Sequence, residues 1–232
     1  MYFAALVEYN SRSFQEAIIM TDKKLRITMS LVGVILTGIS VGIFQAARLG
    51  TDPATCFVTA LANFFDSTYA VCFTLFTAVL LVVVFFTKKH YIGLATILSM
   101  CLIGIMADTT RWLIELVITN PNMTSRIFLM AFAVLLLSFA SSLYFTADMG
   151  VSSYDAMALM ASKDYHLAAF RVCRVTTDLF CVIIGFMGGA DIGIGTVITA
   201  FMMGPFVQWF NEHFSEPLLK SKQAIDTTCA TC

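Results

Sequence analysis

Arg174 and Asp178 stand four apart within the apolar stretch Ala168–Met187, and Arg171 lies one turn before Arg174. On a helix this spacing places a guanidinium and a carboxylate on one face, where each neutralises the other. An ionisable side chain at the centre of a bilayer costs at least about 2.5 kcal/mol, so such residues turn inward and pair. Asp178 is too short and too deep to reach an interface. The pair reads equally as a structural lock and as a substrate or proton site.

A second set, Asp108, Arg111 and Glu115, shares one face near the far end of the stretch Ile92–Val117. Interfacial water accounts for Arg111 and Glu115, which leaves Asp108 as a candidate. Two more carboxylates stand at helix starts. Gly50-Thr51-Asp52-Pro53 supplies a glycine for an unusual backbone angle, a capping aspartate and a proline for the first helical position. Gly150-Val151-Ser152-Ser153-Tyr154-Asp155 supplies a capping box, with Ser152 as cap and Asp155 three residues on. Both read as well-capped short helices. Alternatively their positive ends hold an anionic group, a role for which Asp52 and Asp155 compete.

Gly193-Ile194-Gly195-Thr196 resembles a fragment of a phosphate loop without its lysine or preceding strand. A tight helix start is the favoured reading, and close approach to a ligand the alternative. Gly204-Pro205 predicts a kink or local unwinding. His90, His166 and His213 form no ligand spacing, and Cys229 and Cys232 lack a second Cys/His pair. No metal and no cofactor are therefore expected. With no readable nucleophile and base, neither is enzymatic activity.

The elements that must position these residues are membrane spans. Of 232 residues, 59% are hydrophobic and 12% charged, about half the charge of a soluble domain, and mean hydropathy is +0.84. A net charge of −1 and the lack of a basic stripe exclude nucleic acid as a partner. Apolar runs at Ile27–Ala47, Tyr69–Phe86, Ile92–Val117, Ile127–Ala147, Ala168–Met187 and Ile192–Phe210 are each long enough for a span. Pro53–Phe65 and Ser153–Ala161 are too short, and predict interfacial or re-entrant helices. Basic residues cluster at Lys23, Lys24, Arg26, at Lys88, Lys89, at Lys163, Arg171, Arg174 and at Lys220, Lys222. With six spans and both termini inside, all of these are cytoplasmic.

Shifting the sequence by one hundred residues lays one half on the other without a gap. Ala47-Arg48-Leu49-Gly50 meets Ala147-Asp148-Met149-Gly150, and Ile92-Gly93-Leu94-Ala95-Thr96 meets Ile192-Gly193-Ile194-Gly195-Thr196. The small-residue stripe Gly38, Gly42, Ala46 meets Ser138, Ser142, Thr146, at a spacing that lets helices approach closely in lipid. Three spans per half reverse the second half, which makes an inverted repeat of the kind found in secondary transporters. Asp108 meets Gln208 and Asp178 meets Ala78, so the charges are not symmetric and suit halves diverged around one site.

The second half also resembles the bacterial YczE/YyaS/YitT-like membrane proteins. The resemblance rests on Gly150…Asp155-Ala156-Met157, Arg174…Asp178, Gly185…Gly188-Gly189, Gly193-Ile194-Gly195-Thr196 and Gly204-Pro205, within residues 27–212. Where those proteins have Gly-Pro-Arg-Asp, this chain runs from Val151 to Asp155 without Pro-Arg. Their acidic partner four after the arginine, usually glutamate, is here Asp178. The resemblance implies a protein of the bacterial cytoplasmic membrane, of uncharacterised or transporter-like function.

The expected molecule is an all-α integral membrane protein of about six transmembrane helices in two inverted three-helix repeats. Each repeat has a short extra interfacial or re-entrant helix. Residues 1–26 form an N-terminal cytoplasmic segment, 27–118 the first repeat, 119–126 an outer loop, 127–213 the second repeat and 214–232 a cytoplasmic tail. The expected function is secondary transport of a small polar solute. The alternative is a non-transporting scaffold or regulator that holds a protein partner. Its surroundings are the lipid bilayer, and a homodimer through small residues is compatible with the sequence. The candidate binding residues are Asp178, Arg174, Asp155, Asp108, Asp52 and Arg171, with Gly50, Gly150, Gly193, Gly195, Thr196, Gly204 and Pro205 as helix-start residues.

Overall fold

The computed structural model describes residues 2–87, 93–118, 121–150, 152–165 and 170–219. Side chains are described from Lys23 onward, except at 94, 95, 158, 159, 163, 164, 170 and 171. The elements are α1 (Tyr2–Ala47), α2 (Pro53–Phe64), α3 (Tyr69–Thr87), α4 (Leu94–Val117), α5 (Met123–Ala147), α6 (Ser153–Leu159), α7 (Phe170–Met187) and α8 (Ile194–Phe210). Among the described residues there is no strand. Backbone polar groups satisfied within each helix are what a hydrocarbon environment requires.

Four stretches are long and apolar enough to cross a membrane: Lys23–Ala47, Tyr69–Thr87, Thr96–Val117 and Met123–Ala147. The other two predicted spans also form helices, α7 and α8, but of a different character. α7 carries Arg171, Arg174 and Asp178 in 18 residues, and α8 has 17 residues before a π-helical turn over Asn211–Ser215. Large apolar side chains cover the outside, among them Val79, Phe86, Leu116, Phe128, Phe180 and Phe201. So much exposed apolar surface is unstable in water and at home in lipid. The chain is a helical membrane protein.

α1 and α5 form the interior pair, each with 56% of its span window buried against 22% for α3 and α4. Their contact is a core of Ile43, Phe44, Ala47, Met130, Ala133, Val134 and Leu137. Ser40 Oγ adds a hydrogen bond to Ala133 O at 2.7 Å. The small-residue stripe of α1 faces α4, where a methyl group on Gly42 would stand 2.5 Å from Ala107 O. The stripe of α5 faces the π-helical turn after α8, where Ser142 Oγ meets Ser215 Oγ at 2.5 Å and Thr146 bonds Asn211. Both stripes are thus used inside the chain, as close helix contact without a hydrophobic driving force demands.

The turns that close α1 and α5 have one conformation. Arg48 and Gly50 take φ of 52° and 106°, and Asp148 and Gly150 take 51° and 103°. Gly50 lies against Gly193 and Thr196, while Gly150 lies against Gly93 and Thr96. At both places Thr Oγ1 accepts the amide of the glycine three residues before, at 3.2 Å for Thr96 and 3.5 Å for Thr196. The short helices are exchanged in the same way. α2 packs on α7, and α6 packs on α3. Each turn and short helix is thereby held by the other half of the chain.

One expectation changes. The unwinding expected at Gly204-Pro205 does not occur there, because α8 continues through both residues and the irregular turn falls at Asn211–Ser215. Gly193 and Gly195 are spent on chain contact. A methyl on Gly195 would lie 2.5 Å from Gly50 O, and the Gly195 amide donates to Leu49 O at 3.0 Å.

Candidate functional site

Short-range signals set the two short helices. Asp52 caps α2, with Oδ2 accepting the Thr55 amide at 3.2 Å, and Pro53 follows as the first helical residue. Ser152 caps α6, with Oγ accepting the Asp155 amide at 3.2 Å. The same Ser152 hydroxyl donates to Asp155 Oδ2 at 3.0 Å, which orients that carboxylate.

Contacts along α7 show how these helices are aimed. Cys56 and Ala60 of α2 lie against Gly185 and Gly188, so α2 runs parallel to α7. Tyr154 and Asp155 of α6 lie against Asp178 and Arg174, so α6 runs the opposite way. The N-termini of α2 and α6 therefore approach one another along the middle of α7. Helix N-termini carry about half a positive charge each, and here both point at one place.

That place holds, among the described residues, the Arg174 guanidinium with the Asp155 and Asp178 carboxylates on either side. Arg174 Nη1 bonds Asp155 Oδ1, and Arg174 Nε lies 3.4 Å from Asp178 Oδ1. The guanidinium rests on the Tyr154 ring, 4.8 Å from its centroid. Tyr154 OH donates to Asp178 Oδ1 at 2.5 Å. Asp52 lies within electrostatic range of both Asp178 and Arg174, and Tyr144 within range of Arg174. Asp155 and Asp178 are buried. Asp52 Oδ1 and Tyr144 OH are sealed from solvent and have no hydrogen-bond partner among the described residues. An orphan polar atom away from water costs about 1–3 kcal/mol, so each of these two atoms would be stabilised by a further polar partner. Among the described residues no three His, Cys, Asp or Glu side chains converge as a metal site would require.

Of the sequence candidates, Asp155, Arg174 and Asp178 come together, and Asp52 caps α2 within electrostatic range of them. Arg171 lies on α7 one turn from Arg174, with its side chain outside the described residues. Asp108 lies elsewhere, accepting the Ala70 amide at 2.9 Å and so capping the first turn of α3. Gly50, Gly150, Gly193, Gly195 and Thr196 brace the turns behind the cluster, and Thr196 Oγ1 is 3.9 Å from Cys56 Sγ. Gly204 and Pro205 are remote, with open space beside Gly204. Sequence reasoning missed Tyr154 and Tyr144. Tyr154 is adjacent to Asp155 in a capped helix start, a signal available in the sequence. Tyr144 carries no such signal, since a tyrosine in an apolar helix is normally packing.

Fold and site together define a polytopic helical membrane protein with two broken helices converging on a buried charge cluster. The chain belongs to a family of unknown function, DUF6198, whose model matches residues 24–212. It is similar to an uncharacterized protein of Haemophilus influenzae, 27% identical over 186 residues, covering 79% of this chain and 82% of that one. No solved structure matches.

Proposed function

We propose that this protein is a secondary carrier of a small polar solute in the bacterial cytoplasmic membrane, with the solute held between the N-termini of α2 and α6. One observation carries the reading: two broken helices aim their positive ends at a buried Arg174–Asp155–Asp178 cluster, and Asp52, the cap of one of them, keeps an unpartnered buried oxygen. Discontinuous helices meeting at mid-bundle are a recurrent way for carriers to bind solute and coupling ion.

The proposal includes six spans, both termini cytoplasmic, and halves related as inverted repeats. The matched turn angles, the reciprocal contacts of Gly50 with Gly193 and Gly150 with Gly93, and the exchange of α2 and α6 support it. Rocking of one half against the other about the α1–α5 pair then exposes the cluster to each side in turn. The site binds and releases without bond chemistry.

The test is counterflow. Proteoliposomes bearing the purified protein are loaded with a metabolite mixture, and uptake of each compound is read by mass spectrometry. The wild type is expected to accumulate one or a few related compounds, and Asp178→Asn, inserted equally well, none of them. Equal uptake by Asp178→Asn would remove Asp178 from the mechanism. No uptake by the wild type moves the search to a protein partner.

A further inference from the structure

Where α1 ends and α5 begins lies a cavity of about 270 Å³. Its walls include Ala46, Arg48, Ile114, Glu115, Arg126 and Leu129. We propose that this cavity seats the phosphate of an anionic phospholipid headgroup.

Charge is the first ground. Glu115 is engaged by Arg111 Nε at 3.0 Å and lies 3.7 Å from Arg48. The closer partner neutralises it, which leaves Arg48 and Arg126 in surplus at the cavity. Arg126 stands in the first turns of α5, where the helix dipole disfavours a cation unless an anion is near. Its Nε donates to Pro121 O at 3.3 Å, so its terminal nitrogens keep their donors for a further acceptor. Two guanidinium groups converging on one opening are suited to phosphate oxygens.

The second ground is the opposite end of the same helix pair. There Arg26, one hundred residues before Arg126, donates Nη1 to Ala147 O at 3.0 Å and closes the end of α5. Ser215, one hundred residues after Glu115, packs on Ser142, and Leu219 fills in against Met29, Leu143 and Ala147. The chain thus fills one end of the α1–α5 groove with its own residues. At the other end it leaves an opening lined by two arginines.

The third ground is depth. Trp112, on α4 one turn before Glu115, is 62% exposed, and tryptophan concentrates at the headgroup level of a bilayer. Leu116, Val117 and Phe128 are exposed beside it and offer an apolar path for the acyl chains. The cavity therefore opens where a headgroup and its chains meet.

Thermal unfolding of the detergent-purified full chain with phosphatidylglycerol, phosphatidylcholine or inorganic phosphate tests this. Phosphatidylglycerol is expected to raise Tm by about 2–4 °C, the others by less than half of that. Arg48→Asn, which tolerates the left-handed backbone at that position, and Arg126→Gln are each expected to keep the lipid-free Tm and lose most of the increment. Equal shifts with both lipids, or an undiminished phosphatidylglycerol shift in both variants, overturn the proposal. An equal shift with inorganic phosphate overturns it in favour of a free-anion site. Should neither variant fold, native mass spectrometry of the wild type decides. Preferential retention of phosphatidylglycerol over phosphatidylcholine supports the site, and equal retention overturns it.

Discussion

Arg174 is the residue on which the cluster depends. Its guanidinium lies between Asp155 and Asp178 and over Tyr154, so its removal strands two buried carboxylates at once. Breaking a buried ion pair from one side costs about 3–5 kcal/mol. Arg174→Gln is therefore expected to lower Tm in detergent well below that of Asp178→Asn, which leaves the Arg174–Asp155 bond in place. A smaller loss in Arg174→Gln than in Asp178→Asn, measured by thermal unfolding, would contradict this ranking. The Arg174/Asp178 relation was legible from spacing alone. The closer partner, Asp155, was legible only as a capping residue, because nothing local shows that α6 turns back on α7. Asp108 read as a candidate for the opposite reason. Its partner, the Ala70 amide, is a backbone group on another helix and has no sequence signature.

At the scale of elements, glycines separate contact from mere composition. Gly195 has Gly50 O where its methyl would go, whereas Gly204 has nothing within 4 Å. Gly195→Ala is expected to cost about 1–3 kcal/mol through overpacking. Gly204→Ala is expected to be neutral or to gain about 0.5–1 kcal/mol from helix propensity. Thermal unfolding of the two variants checks the contrast, and equal effects would show that the turn contact is not tight. Element positions were well announced, since apolar runs and the caps Asp52 and Ser152 are local features. The shape within elements was not. Gly204-Pro205 suggested a kink or local unwinding, yet this exposed glycine and proline leave the helix continuous, and its irregularity comes where Asn211 and Ser215 bond α5.

For the whole molecule, exchange of the short helices links topology to function. Gly50 with Gly193 at one place, and Gly150 with Gly93 at the other, make both turns depend on both halves. The proposed six-span arrangement puts the exposed residues Asp66 and Tyr165 on opposite sides of the membrane. Cysteines introduced there are expected to react with an impermeant maleimide from outside and inside respectively, and labelling of both from one side would contradict the inverted arrangement. The offset of one hundred residues was visible in the sequence, but the direction of α2 and α6 along α7 was not, since it is set for α2 by contacts more than one hundred residues apart and for α6 by side-chain contacts across an intervening turn. That direction creates the proposed solute site. A thermal-shift screen of purified wild type and Asp178→Asn against metabolites and ions tests the site most directly. A small polar compound that stabilises the wild type and not the variant is the predicted result. A compound that stabilises both equally, or a well-folded wild type that responds to nothing, would contradict it.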